Sequence, residues 1–235
     1  MGYRIKEENI LEIEINTDLT VYHPLKQCEK CASATPPNFD ICYYCDNGIN
    51  GHDKFTEEFD DIFTIGNYVK SAKDHGLTET IRDFKEGGNN EVVKKVATWG
   101  FEYQYSSTDI DMVTAPPSSS EENQMAPIVR HIAADGDMDY KLPFEKEDDI
   151  KAQKDCDGLE ERIENIQDSI SLEENLEVSS ILIVDDIITS GMTISECVRL
   201  LKEEGIPNVY GMAIGRNEDF KSLTHAEVLE EIEDE

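Results

Sequence analysis

Basic residues are scarce in this sequence of 235 residues. Its 21 lysines and arginines stand against 52 aspartates and glutamates, which gives a formal net charge of −31. A surface with so few cations repels the phosphates of nucleic acids and of anionic membranes. We therefore expect no direct binding of nucleic acid by this chain.

Long apolar runs are absent as well. No stretch approaches the roughly 20 apolar residues that a membrane-spanning helix needs. The first ten residues, MGYRIKEENI, lack the basic and apolar regions of a signal peptide. These absences predict a cytoplasmic protein with no membrane association. A chain of this length can bury the core of one α/β domain plus a small appendage.

The excess of acid has two interpretations. Concentrated salt screens the repulsion among carboxylates, and an acidic surface keeps a protein soluble there, which favours a halophilic source. The alternative is an ordinary acidic protein with disordered acidic ends, because charge balance reports on solubility and not on fold.

The motif richest in chemistry lies at residues 181–193, ILIVDDIITSGMT. Its apolar, β-branched start predicts a strand covered on both faces, and ligands in open α/β sheets bind at the carboxyl ends of such strands. Asp185 and Asp186 follow there and can accept hydrogen bonds from vicinal hydroxyls. A helical pattern begins at Ile194, so N–H groups at a helix start favour an anion beside the acids. The turn before that pattern consists of Thr189, Ser190, Gly191, Met192 and Thr193. Its glycine lets the backbone approach a ligand closely. This layout suits a phosphorylated sugar.

The motif has two other interpretations. The string ILIVDD also opens receiver domains of response regulators, in which paired aspartates hold magnesium. Most of that fold follows the pair, whereas this sequence ends at Glu235, before five βα units are complete. The second alternative, two acids that merely end a strand of an ordinary α/β protein, stays open until the context of the turn is known.

The thirteen residues resemble the phosphoribosyl-pyrophosphate (PRPP) signature of type I phosphoribosyltransferases. The resemblance implies that Asp185 and Asp186 hold the 2′- and 3′-hydroxyls of the ribose. It further implies that residues 189–193 hold the 5′-phosphate.

Four cysteines form two Cys-x-x-Cys pairs, Cys28 with Cys31 and Cys42 with Cys45. Two such pairs at short separation can close a tetrahedral tetrathiolate around a structural zinc ion. Two disulfides are an alternative that a reducing cytosol disfavours, and an iron–sulfur cluster is another. Cys197 has the spacing of a buried helix position.

A zinc ribbon followed by this signature resembles the ComF family, and the resemblance covers residues 22–216. Residues 77–88 resemble a family helix that ends in a lysine and a glycine turn, so Lys85 aligns with the family lysine, although a cation also suits the C-terminal end of any helix. The remaining weaker matches are residues 62–69, the segment Glu122-Asn123-Gln124, residues 153–165 and residues 213–216. The segment Glu122-Asn123-Gln124 is expected to open a helix that reaches Ala134.

Residues 113–120, VTAPPSSS, resemble the family's pyrophosphate-binding loop. Its candidate ligands are Ala115, Pro116, Pro117 and Ser118, together with Lys85. The arginines that the family places after this loop are replaced by serines and glutamates. Serine hydroxyls and backbone N–H groups could instead bind the negatively charged pyrophosphate, and a magnesium ion bridging the diphosphate could neutralise its charge. Three cations could also contribute: Lys85, Arg130 and Arg162.

The patterns divide the chain into three parts. Residues 1–58 hold a strand over 11–15 and the zinc ribbon, residues 59–216 form a phosphoribosyltransferase-like domain, and residues 217–235 form an acidic tail. In the second part, strand patterns lie near Phe63, Met112, Ile181 and Tyr210, and helical patterns lie near Thr78, Val92, Ala126 and Ile194. This alternation predicts a Rossmann-like α/β fold with a mainly parallel sheet flanked by helices. The acidic segment 145–175 is expected to be a mobile hood or loop.

Together, these features predict a phosphoribosyltransferase that binds PRPP with Mg²⁺. It would transfer the phosphoribosyl group to an unidentified nitrogenous acceptor and release pyrophosphate. Two other functions stay open: a sensor of PRPP or nucleotides, and an accessory protein of DNA uptake, which the ComF resemblance implies. Either a homodimer or a protein partner docked on the ribbon is compatible with the sequence.

Overall fold

The computed structural model describes residues 2–7, 10–15, 19–24, 26–29, 31–32, 38, 40–41, 43–46, 59–69, 76–88, 90–118, 122–146, 166, 169–189 and 191–217. Several residues of the sequence predictions lie outside these described ranges: Cys42, Ser190, Arg162, residues 153–165 and residues 218–235.

Ten strands and five helices occur in the described residues. The strands are β1 (Gly2–Glu7), β2 (Ile10–Glu14), β3 (Thr20–Pro24), β4 (Asp61–Tyr68), β5 (Met112–Thr114), β6 (Asp139–Tyr140), β7 (Phe144–Lys146), β8 (Ile170–Leu172), β9 (Ser180–Ile188) and β10 (Asn208–Asn217). The helices are α1 (Tyr43–Asp46), α2 (Gly76–Lys85), α3 (Asn90–Tyr105), α4 (Ala126–Gly136) and α5 (Met192–Glu203). Each strand and helix predicted within residues 59–216 is present. No helix of the described residues is long and apolar enough to cross a membrane.

The central sheet has five strands in the order β4-β10-β9-β5-β6, and all neighbours pair in parallel. Parallel neighbours need crossover connections, which the helices between these strands supply. The predicted mainly parallel sheet flanked by helices is therefore confirmed.

Strand β9 is covered on both faces, as its apolar sequence predicts. Leu182 and Val184 belong to a core that includes residues of α2, α3 and α4. Ile181 and Ile183 belong to a second core with residues of α5, β7 and β8. All four side chains are fully buried. Cys197 of α5 lies in the second core, where its helical spacing predicted it.

The N-terminal part covers the edge of the central sheet. Strands β1, β2 and β3 form an antiparallel sheet, and His23 of β3 donates from Nδ1 to the carbonyl oxygen of Ile65 at 3.0 Å. Gln27 bonds both backbone groups of Thr64, donating to its oxygen at 2.5 Å and accepting from its nitrogen at 3.0 Å. Side chains of the N-terminal part thus bond edge strand β4 at Thr64 and Ile65, and covering an edge strand in this way is one means of limiting its pairing with other chains.

The segment expected to be a hood or loop has strands at both ends. Strands β7 and β8 pair antiparallel, with Phe144 opposite Leu172. Phe144 and Ile170 are buried in the second core. These apolar anchors attach the described ends of the segment to the α5 side of the sheet.

Candidate functional site

The two adjacent acids lie within β9 and not after it. We expected the strand to end before Asp185, but it continues to Ile188 because β10 keeps pairing with it, up to Arg216 opposite Ile188. On its other side, β5 ends at Thr114, opposite Ile183. The acids therefore lie just beyond the end of β5 and are half-buried.

The chain leaves β9 and β5 toward opposite faces of the sheet. After β9 it enters α5, which packs on one face, and after β5 it enters α4, which packs on the other. Such a reversal opens a crevice at the carboxyl ends of the strands, where ligands of α/β sheets bind. The loops after β9 and β5, predicted to hold phosphate and pyrophosphate, flank this crevice.

Lys85 lies at the acid pair. It is the last residue of α2, and its Nζ is 2.7 Å from Oδ2 of Asp186. The lysine side chain is 43% exposed and the aspartate side chain 14%. The carbonyl oxygen of Lys85 accepts a hydrogen bond of 3.1 Å from Nε2 of Gln124. The fold thus brings this cation from α2 to the carboxylates of β9.

Asp185 has an unusual protonation equilibrium. Burial raises the pKa of its carboxyl to about 7, and repulsion from the Asp186 carboxylate adds to the increase. A hydrogen bond of 2.8 Å from the N–H of Asp186 to Oδ1 and the charge of Lys85 offset part of it. Asp185 therefore changes charge near neutral pH. Perturbed carboxyls of this kind are enriched at functional sites.

The predicted phosphate turn leads directly into α5. Gly191 precedes the helix with φ of 79°, in the left-handed region that favours glycine. We expected Met192 and Thr193 to precede the helix. Helix α5 instead starts at Met192, so these two residues form its first turn. N–H groups of a first helical turn lack partners within the helix and favour an anion.

Arg216 supports the start of this turn, a role that the sequence analysis missed. Its side chain is buried, and Nη1 donates to the carbonyl oxygens of Ile188, at 2.9 Å, and of Thr189. Asn217 Nδ2 lies 3.4 Å from Oγ1 of Thr189. The available signal was an arginine within the otherwise apolar run GMAIGR.

The loop after β5 is braced by Asn123. Its Nδ2 donates to the carbonyl oxygen of Pro116 at 2.8 Å, and its Oδ1 accepts from the N–H of Met125 at 2.9 Å. The segment Glu122-Asn123-Gln124 was predicted to open a helix, but α4 begins at Ala126. The side-chain amides of this segment connect the loop to α4 and α2 instead.

The loop itself presents no cation. Ala115, Pro116 and Pro117 are uncharged, and Ser118 is half-buried. The hydroxyl Oγ1 of Thr114 is buried without a hydrogen-bond partner among the described residues. Arg130 lies with its guanidinium 5.3 Å from the centre of the Tyr140 ring on α4 and β6. Of the cations proposed from the sequence, Lys85 lies at the acids, whereas Arg130 contacts Tyr140 on the edge strand β6.

The cysteines form a compact cluster near the start of β4. The Sγ atoms of Cys28, Cys31 and Cys45 all lie within 4.8 Å of one another. Zinc–sulfur bonds of about 2.3 Å in a tetrahedron separate sulfurs by about 3.8 Å, so these three thiols fit three corners of such a site. All three are buried in the core that contains Ile62. Buried thiols at this spacing suit a structural metal, and Cys42, the fourth predicted ligand, lies outside the described residues.

A comparison with protein families matches the part of the chain that forms the crevice. Residues 111–210 match the family model described as phosphoribosyl transferase domain. The match spans less than half of the chain, and it contains β5, α4, β9, α5 and both loops of the crevice. This part of the chain is similar to phosphoribosyltransferases.

Comparisons with individual proteins do not extend this similarity. No curated protein matches the sequence. One matching solved structure is described as the crystal structure of adenine phosphoribosyltransferase, with 14% identity over 54% of this chain and 72% of that chain. Its TM-score of 0.36 carries no argument about this chain.

Proposed function

We propose that this chain is a phosphoribosyltransferase that binds PRPP in the crevice beyond β9 and β5. In the reaction, a nitrogen nucleophile forms a bond to C1 of the ribose and pyrophosphate leaves. The observation that carries the proposal is the placement of Asp185 and Asp186 just beyond the end of β5, on the strand that leads into the N-terminus of α5. The family match to residues 111–210 supports the same function.

The acid pair is proposed to orient the ribose. Ionised carboxylates accept hydrogen bonds from two neighbouring hydroxyls and so fix the direction from which C1 is attacked. Their negative charge also stabilises the positive charge that develops on the sugar in the transition state. Lys85 places a cation beside this pair, with its Nζ 2.7 Å from Oδ2 of Asp186.

The turn after β9 is proposed to bind the 5′-phosphate. Its candidate residues are Thr189, Ser190, Gly191, Met192 and Thr193. The N–H groups of the first turn of α5 point toward the start of the helix, and the helix dipole adds attraction for an anion. The positive φ of Gly191 at 79° lets the chain enter the helix without a side chain filling this space.

Pyrophosphate is proposed to lie along residues 115–118. Magnesium, when bound together with PRPP, neutralises diphosphate charge and so supports the leaving group. The oxygens of Asp185 and Asp186 are the donor type that magnesium accepts. Among the described residues, the hydroxyl of Ser118 and the ammonium of Lys85 are side-chain donors that could serve the diphosphate. The zinc ion proposed for Cys28, Cys31, Cys42 and Cys45 has a structural role.

A sensor of PRPP is the second candidate. The absence of cations from residues 115–118 and the engagement of Lys85 by Asp186 favour it. A protein with an intact ribose and phosphate site but weak contacts to pyrophosphate would bind PRPP without turning it over.

Release of pyrophosphate from PRPP distinguishes the two candidates. The purified chain is supplied with magnesium, PRPP and a panel of nucleobases plus ammonia, and the variant Asp185→Asn/Asp186→Asn is the control. An enzyme releases pyrophosphate with at least one acceptor, and the control does not. PRPP binding without release indicates the sensor, and the absence of binding refutes both candidates.

A further inference from the structure

The end of β10 is attached to the start of the phosphate turn. Arg216 is 3% exposed, and its backbone lies opposite Ile188 in the parallel pair of β10 and β9. From that position Nη1 donates to the carbonyl oxygen of Ile188 at 2.9 Å and to that of Thr189. One guanidinium nitrogen therefore holds the two consecutive carbonyls that join the strand to the turn.

The next residue of β10 adds a contact to the same place. Nδ2 of Asn217 lies 3.4 Å from Oγ1 of Thr189, so both the backbone and the side chain of Thr189 are engaged by β10. Hydrogen bonds from a charged donor are stronger than those from a neutral one. The guanidinium therefore contributes more than the amide to fixing this junction.

The contact also sets the direction of the peptide groups. A trans peptide holds its C=O and N–H on opposite sides. Because the carbonyl oxygen of Ile188 faces Arg216, the N–H of Thr189 points away from it. Carbonyl oxygens repel a phosphate, and N–H groups attract it. Turning the oxygens of residues 188 and 189 toward a buried cation thus prepares this junction for an anion.

On this basis, and resting on the proposed function, we propose that Arg216 is a positioning residue for the 5′-phosphate subsite. It does not touch the ligand. It acts through the backbone of Ile188 and Thr189, whose oxygens it keeps away from the phosphate. Its effect is therefore confined to ligands that carry the sugar phosphate.

Two probes separate this role from a general structural one. Ribose 5-phosphate reports on the sugar-phosphate subsite, and pyrophosphate with magnesium reports on the loop after β5. We expect Arg216→Met to weaken ribose 5-phosphate and PRPP by about 10- to 100-fold, because small misplacements of binding groups have effects of that size. Its affinity for pyrophosphate stays unchanged. Arg216→Lys keeps the charge but not the planar donor group, and its loss is intermediate.

The matched control is Arg199→Met. Arg199 lies on α5 and bonds Glu196 and Glu203, so this variant removes the same charge without touching the turn. It should leave both affinities unchanged. Thermal melts of each variant establish that it is folded. If Arg216→Met does not fold, Arg216→Lys and Asn217→Ala carry the test with the same two probes.

Three results would overturn parts of the account. Folded Arg216 variants that bind ribose 5-phosphate like the wild type overturn the inference alone. Equal losses for ribose 5-phosphate and pyrophosphate also overturn it, since they indicate a general structural role. A wild-type chain that binds neither probe overturns the proposed function and the inference with it.

Discussion

Replacing Asp185 with asparagine should stabilise the fold above neutral pH while it weakens PRPP binding. Burial and the neighbouring Asp186 raise the pKa of Asp185 from its ordinary 3.8 to about 7. Between these two values the native state binds more protons than the unfolded state, so stability falls as pH rises through this window. The loss is complete above pH 7 and is on the order of 4 kcal/mol.

Asparagine cannot ionise, so Asp185→Asn avoids this loss. It also retains an oxygen that can accept the hydrogen bond now made by the N–H of Asp186. We expect the variant to exceed the wild type by several kcal/mol in free energy of unfolding at pH 8, and the difference to shrink toward pH 4. Urea unfolding at the two pH values measures it. Asp135→Asn, at an exposed carboxyl of α4, is the matched control and should change little.

The same carboxyl should make PRPP binding depend on pH. With a pKa of about 7, roughly a tenth of Asp185 is ionised at pH 6 and about nine tenths at pH 8, so the apparent affinity should rise about tenfold over this range. Titration of PRPP itself also changes the affinity. Dividing the change in affinity of the wild type by the change measured for Asp185→Asn corrects for it. If Asp185→Asn is no more stable than the wild type at pH 8, burial does not disfavour the charged carboxyl and the argument fails.

Three further predictions address other parts of the molecule. One zinc ion should bind per chain, and Cys45→Ser should release it and loosen the ribbon without abolishing PRPP binding; natively purified protein without zinc would contradict this. Burial lowers the pKa of His23 to about 4, so the unfolded state binds more protons between pH 6.5 and 4 and stability should fall by about 3 kcal/mol as pH decreases through that range. His23→Asn, which keeps a donor, should remove this dependence in acid unfolding curves, and an unchanged dependence would show that another group is responsible. Melting temperature should climb from dilute buffer to molar potassium chloride as salt screens the net charge of −31, while PRPP affinity holds or improves and requires magnesium. Affinity that falls steeply with salt, or that persists in excess chelator, would mean that basic side chains line the pyrophosphate subsite.

Local patterns were sufficient to predict most of the central fold. The apolar run before Asp185 and the helical spacing around Cys197 report on burial directly, and the structure places both in the core. The end of β9 was predicted too early because it is determined by pairing with β10, a neighbour that the run itself does not reveal. The start of α4 was predicted too early for a similar reason, since Asn123 bonds the loop at Pro116.

The site was only partly predictable. A motif orders the acids and the turn along the chain, so these residues could be selected from the sequence. The contact of Lys85 with Asp186 and the bonds of Arg216 to residues 188 and 189 join distant parts of the chain, and no local pattern specifies them. The nitrogenous acceptor has no sequence signal, because no residue after the motif selects one base over another.

Calorimetric titration of PRPP with magnesium tests the central claim most directly. The wild type and Asp185→Asn/Asp186→Asn are compared at pH 8, after circular dichroism and thermal melts have shown that both are folded. The account predicts saturable binding by the wild type and loss of binding by the double variant, because both carboxylates accept the ribose hydroxyls. Unchanged affinity in the folded double variant would contradict the assignment of the site.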